Sequence, residues 1–340
     1  MQRRTRRKIK RFFLCLFRYP FEFVGMVFFC VLFRLLPLDW ASGIGGFVGR
    51  KIGPKLKVSW VARYNLMKVF PEKSVAEIDA IVVGMWDNLV RTFVEYPHLR
   101  HLCTHYDDRI EFVDYEKSVQ MRDDGKAGIL FSAHIGNWEI ASVLGCKLGM
   151  PLHRVYRKAN NPYVEWAFRW FRLKIKGDLV QKGTSGFRQI VSEMRKGGHF
   201  ALLIDQKMNE GIWVDFFGFP VKTTPSLARL VLKYDYPALP MRCERLNGAH
   251  FRLTPEPLLT IEKTGDTDKD VQAYMTKANK VVENWIRLKP EQWLWVHKRW
   301  PDSKFMWKRL YRERKLWKKG IKPPEVFAVS QKKFIPQKSL

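Results

Sequence analysis

What most constrains the fold is a change of periodicity near residue 109. Before it, from Ser59 to Tyr96, the pattern is helical. Ile78, Ile81, Val82, Met85, Leu89 and Phe93 recur on one face after "SVAE" (Ser74 to Glu77), a capping box. After it, short apolar runs alternate with helical segments. "RIEFVD", "AGILFSA", "LHRVYR", "HFALLID", "YPALPMRCER" and "HFRLTPE" read as strands. Between and after them, "YEKSVQMRDDG", "NWEIASVLGCKLG", "PYVEWAFRWFRLK", "SGFRQIVSEMRKGG" and Lys269 to Leu288 read as helices. Such alternation predicts an α/β fold, a mostly parallel central sheet flanked by helices. The glycines of "GIGGFVGRKIG" miss GxGxxG spacing and follow no strand, which argues against a dinucleotide site.

The N-terminal segment sets the surroundings. "RRTRRKIKR" leads into the apolar stretch Phe12 to Leu36, long enough to cross a bilayer, which takes about 20 apolar residues. Arg18, Glu22 and Arg34 lie within it and Pro20 interrupts it, while Arg50, Lys51, Lys55 and Lys57 follow. No small-residue cleavage site marks a removed signal peptide. The segment is expected to be a membrane-anchor helix that either spans or lies in the interface with its arginines snorkelling. Lys and Arg number 61 against 33 Asp and Glu, a net charge of +28, so the partner is a polyanion: anionic lipid, an acidic protein or nucleic acid. The five cysteines form no CxxC pair, so neither a disulfide framework nor a zinc ribbon is indicated. His98, His101 and His105 fall at helical spacing without a carboxylate ligand beside them, weak grounds for a metal site.

Chemistry in open α/β sheets gathers beyond the carboxyl ends of strands. His134 stands there, at the end of "GILFSA", with Glu139 five positions on and Asn137 placed to cap the intervening helix start. On one ideal helix the two would point too far apart to meet. With His134 on the entering loop, its ring is expected to fold back towards Glu139, which would fix its tautomer and leave the other nitrogen to take a proton. An H-x4-E spacing alone is equally compatible with a core histidine and a first-turn glutamate favoured by the helix dipole. Arg157, Asp205 and Gln206 also end strands, and Thr223 and Thr224 would lie beside them. Gly218 and Pro220 read as shapers of a loop.

"HIGNWE" resembles the active-site block of the bacterial lipid A late acyltransferases. These lauroyl and myristoyl transferases are a branch of the lysophospholipid acyltransferase superfamily, whose signature is H-x4-D/E. The likeness extends, in order, through "ARYNLMKVFPE", "MWDNLVRTFVEY", "VYRKANNP", "LLIDQKMNEGIWVDFFGFPVKTTPSLARL" and "PEQWLWVHKRW", from about Phe21 to Trp307. Lys158 stands where the family commonly has proline, and the tail is longer than usual.

The resemblance implies a glycerolipid-acyltransferase-like sheet and an inner-membrane enzyme whose active domain faces the cytoplasm. It implies transfer of a fatty acyl chain from acyl carrier protein to the hydroxyl of a 3-hydroxyacyl chain on a lipid A precursor. His134 would be general base and Glu139 its orienting partner, with backbone N–H groups of Gly136 to Trp138 facing the oxyanion. Arg157, Asp205, Gln206 and Asn137 would bind substrate, and neither cofactor nor metal is called for. The expected division is 1–40 basic N-terminus and anchor, 41–307 acyltransferase domain, and 308–340 a basic, loosely ordered tail. Three rivals remain open on the residues: transfer from acyl-CoA or acyl carrier protein to another lipid, such as a phosphatidylinositol mannoside or an amino-acid lipid; a membrane-tethered basic protein that binds nucleic acid; and a non-catalytic membrane scaffold. The second lacks zinc-finger spacing, an RRM-like aromatic block or a convincing helix-turn-helix.

Overall fold

Two of the local signals act directly. The Ser74 hydroxyl accepts from Glu77 N–H at 3.3 Å and the Glu77 carboxylate accepts from Ser74 N–H at 2.8 Å, closing the capping box on the helix Val75–Glu95. The glycines of "GIGGFVGRKIG" sit in the helix Leu38–Ile52, against that longer helix. A Cβ on Gly49 would lie 2.3 Å from the Trp86 carbonyl oxygen, so glycine here permits close helix packing and cradles no phosphate. This computed structural model describes residues 14–173, 177–300 and 306–322.

Seven strands form one sheet: β1 (Ile110–Phe112), β2 (Ile129–Ser132), β3 (Leu152–Tyr156), β4 (Leu179–Gln181), β5 (His199–Leu203), β8 (Ala238–Arg245) and β9 (Phe251–Pro255). Their spatial order is β1-β9-β8-β2-β5-β3-β4, parallel throughout except for the β8–β9 pair. The two remaining strands, β6 (Ile212–Phe216) and β7 (Phe219–Thr223), make a separate hairpin. Its two-residue turn, Phe217–Gly218, has positive φ at both positions, as a turn matched to strand twist requires.

Successive side chains of β2 feed two cores, because strand side chains alternate between faces. Ile129 and Phe131 join the core beneath Val75–Glu95 and the helix Thr267–Leu288, whereas Leu130 joins the core on the other face with Leu152, Leu239 and Phe251. With both faces covered, β2 is wholly buried, and its end is a fixed platform.

Two N-terminal and C-terminal expectations are modified. No helix among the described residues is long and apolar enough to cross a membrane. The anchor segment forms the 17-residue helix Tyr19–Leu35, which directly continues a π-helical turn, Leu14–Arg18. It has no buried residue. The chain after residue 307, expected to be loosely ordered, is helical over Met306–Arg312 and Arg314–Lys318. There Trp317 is buried edge-on to Trp60 at 5.8 Å and donates to Asp79 at 2.7 Å. The basic stretch 1–13 and the final residues 323–340 lie outside the described residues.

Candidate active site

β2 and β5 are parallel neighbours in a register that pairs Ser132 with Leu203. Two residues further along both chains the same register sets His134 opposite Asp205. Asp205 Oδ1 lies 2.8 Å from His134 Nδ1, and Asp205 Oδ2 accepts from the His134 backbone N–H at 2.9 Å. The Trp293 indole N–H donates to the same Oδ2 at 2.8 Å. Burial alone would push the Asp205 carboxyl up, but His134, through its charge and its two hydrogen bonds, together with Trp293 holds it well below the usual aspartate range. An ionised Asp205 accepts the Nδ1 proton, so the lone pair of the imidazole is presented at Nε2. Gln206 meets that nitrogen with its amide Nε2 at 3.0 Å. The ring also packs against Trp138, centroids 5.1 Å apart, and edge-on to His297 at 6.0 Å.

The carboxylate that orients His134 is therefore Asp205, and the expected fold-back towards Glu139 does not occur. Glu139 is 5 % exposed and accepts from the Tyr96 hydroxyl. The reason is local. Asn137 Oδ1 accepts from Glu139 N–H at 3.2 Å, and the chain then makes a 3-10 turn, Ile140–Ser142, before the helix Val143–Lys147. That tight entry turns Glu139 towards the helix Val75–Glu95 and the residue that ends it, Tyr96. Glu139 still lines the cavity that His134 lines.

Asn137 itself does not reach that cavity. It is 1 % exposed and its Nδ2 donates to Glu95 Oε2 at 2.8 Å. Glu95 in turn takes Arg245 Nη1 at 2.5 Å and Nη2 at 3.0 Å, and Arg245 Nε donates to Asn88 Oδ1 at 2.8 Å. Asn88 closes the loop by donating to the Gly136 carbonyl at 2.9 Å. Asn137 thus braces the loop from beneath. At Gly136, φ is +56° and an added Cβ would lie 2.7 Å from the Cys243 carbonyl oxygen, so only glycine fits. The Gly136 N–H, expected to face an oxyanion, is spent on the Gln292 carbonyl at 3.1 Å.

His134, Gln206 and Arg157 open on one cavity of about 300 Å³. Leu130, Val155, Ile190, Leu227, Leu230 and Met241 line it with apolar surface. Arg157 arrives by the same logic as Asp205. β3 and β4 pair Tyr156 with Gln181, so Arg157 and Lys182 leave adjacent strand ends side by side. Partial desolvation and then the Arg157 charge hold Lys182 below the usual lysine range. Thr224 lines the cavity, whereas Thr223 is buried and accepts from Arg299 at 2.6 Å. His98, His101 and His105 are elsewhere: His98 bonds the Phe33 carbonyl and the other two stack on each other. Among the described residues no group of three His, Cys, Asp or Glu is placed to hold a metal ion.

An imidazole held by a buried carboxylate and lining a cavity with an apolar wall suits removal of a proton from a hydroxyl beside an acyl chain. The sequence model of the family described as bacterial lipid A biosynthesis acyltransferase matches residues 9–302. This chain belongs to that family. As a family member it is an O-acyltransferase of lipid A biosynthesis. Among its relatives is a lipid A biosynthesis palmitoleoyltransferase of Escherichia coli K12, 28% identical over 278 residues, covering 78% of this chain and 86% of the relative. A lipid A biosynthesis acyltransferase of Haemophilus influenzae is 24% identical over 274 residues, covering 79% and 84%. The lipid A biosynthesis lauroyltransferase of E. coli K12 is 25% identical over 285 residues, covering 79% and 85%.

Sequence reasoning missed Tyr96, Trp293, His297 and Lys182. The first three lie in "MWDNLVRTFVEY" and "PEQWLWVHKRW", blocks noted only as family likeness. Their meeting at His134 and Glu139 depends on chain crossings that no local pattern records.

Proposed function

We propose that this acyltransferase moves a fatty acyl chain from an acyl carrier protein thioester to the hydroxyl of a 3-hydroxyacyl chain on a lipid A precursor. The observation that carries the reading is His134, held by Asp205 through Nδ1 and lining a cavity whose other wall is rich in apolar side chains. His134 Nε2 takes the hydroxyl proton as the oxygen attacks the thioester carbonyl. The tetrahedral intermediate then expels the thiolate, which receives that proton from the imidazolium. Asp205 fixes the tautomer and stabilises the transient imidazolium. Glu139, pinned by Tyr96, is the second carboxylate of the cavity and shapes its field. The acyl chain occupies the apolar wall, and Arg157 meets the phosphate or sugar of the acceptor.

The same reading places the protein on the cytoplasmic face of the inner membrane, held by the first two helices. Phe21, Val24, Phe28, Val31 and Leu35 of one, and Trp40, Ile44, Phe47 and Ile52 of the next, are exposed at helical spacing. Tyr163 and Trp166, on the helix after Arg157, stand beside Phe23 and are exposed too, which supports delivery of a membrane-borne acceptor to the cavity. A charge of +28 suits anionic lipid and an acidic carrier. The test is transfer by purified protein from labelled acyl carrier protein to Kdo-bearing lipid A precursor, with acyl-CoA and phosphatidylinositol mannoside as control donor and acceptor. Transfer restricted to the first pair supports the reading, and transfer only to a control lipid overturns it.

A further inference from the structure

Gln206 sits where a substrate must sit. With the Nδ1 proton given to Asp205, His134 has one lone pair, at Nε2, and the Gln206 amide donates to it at 3.0 Å. A hydroxyl about to lose its proton to His134 needs the same lone pair at about 2.6–3.2 Å. Amide and hydroxyl are therefore alternatives.

Water is the third contender. The His134 side chain is 12% exposed and Gln206 is half-buried on the cavity wall, so the site is open to solvent at this point. Water activated at Nε2 would attack the thioester carbonyl, pass its proton to His134, and expel the thiolate, which takes that proton back. The products would be free fatty acid and thiol, and the donor would be wasted. Active sites that handle such donors must keep water from the base until the proper nucleophile arrives.

We infer that Gln206 is a placeholder for the accepting hydroxyl: its amide occupies His134 Nε2 until the acceptor displaces it, which makes this enzyme a transferase and restrains it from acting as a thioesterase. The inference rests on the proposed role of His134 as base. It gives Gln206 a function that mere bracing would not, since its removal creates an activity.

The experiment measures free fatty acid release from acyl carrier protein thioester without acceptor, and transfer kinetics with acceptor. The proteins are wild type, His134→Ala, Gln206→Ala, Gln206→Asn and the double variant His134→Ala/Gln206→Ala. Asparagine keeps an amide but falls one methylene short of Nε2, and it serves where alanine disturbs folding. Losing one neutral hydrogen bond should raise hydrolysis about threefold to tenfold and lower the acceptor KM by a similar factor, while kcat for transfer changes less. The double variant should lose the gained hydrolysis. Hydrolysis no faster than wild type in a folded Gln206 variant, with transfer still dependent on His134, would overturn the inference and leave the general base standing. Transfer that survives in His134→Ala alone would overturn the base itself, and this inference with it.

Discussion

Asp205 is bound to both ends of one residue, the ring and the backbone N–H of His134, and this double hold makes it the positioning carboxylate. In Asp205→Asn the amide no longer enforces protonation at Nδ1, so half or more of the imidazole presents the wrong tautomer. We expect kcat to fall at least about 100-fold with the acceptor KM little changed; the same substitution in a serine protease triad costs about 10⁴. Glu139→Gln should cost less, because Glu139 bonds Tyr96 and not the His134 ring. Steady-state kinetics on both variants, against acceptor concentration, checks the order. The depressed Asp205 pKa also predicts acid behaviour. Its stabilisation is fully present above the ordinary aspartate value, about 3.9, and fades as pH falls through the lower folded value. His134→Ala removes the charge and the hydrogen bond of the partner ring, leaving only the backbone N–H and the Trp293 indole to oppose the upward push of burial on Asp205. Acid unfolding of that variant, followed by circular dichroism, should begin at higher pH than in wild type. His134 and Asp205 were each legible as strand-end residues. Their partnership was not, because it joins positions 71 apart through the register of parallel strands, which leaves no local trace.

The loop that carries His134 is held by elements remote in sequence. Glu95, which ends one helix, bonds both Asn137 and Arg245, which ends β8, and all three are buried. Removing one partner of a buried ion pair strands the other charge. Glu95→Gln should therefore destabilise by about 3–5 kcal/mol, read by chemical denaturation, and should lower activity through the loop. A loss near zero would mean that Arg245 finds other compensation. The alternation of strands and helices was plain in the residues because fully covered strands read as short apolar runs. β6 and β7 escaped because their turn places Phe217 at φ +57°, which no turn signal announces. The aromatic cost is met by packing: Phe217 lies against Trp295 and Trp300, and its N–H is held by Glu283.

Across the whole molecule, the proposed membrane attachment rests on an exposed apolar ridge and a net charge of +28. The net charge was evident from composition, but which apolar residues face outward was not. Helical spacing marks a stripe without saying whether protein or lipid covers it. In the fold the stripe of Tyr19–Leu35 is left uncovered, whereas that of Val75–Glu95 is buried in the core. Phe21→Asp with Phe28→Asp should weaken binding to anionic vesicles about 10-fold or more, since each exposed Phe buried in the interface contributes about 1.5–3 kcal/mol. Vesicle co-sedimentation checks this, and binding should survive moderate salt because the apolar part is not screened. Unchanged sedimentation by the double variant would assign the attachment to another surface.

The central claim is that His134 performs proton transfer for acylation of a lipid A precursor. Its most direct measurement is acyl transfer by purified wild type and His134→Ala, both shown folded, from acyl carrier protein to the Kdo-bearing precursor. We expect robust transfer by wild type and a loss of at least about 100-fold in the variant, within the usual worth of a general base. Undiminished transfer by folded His134→Ala would contradict it.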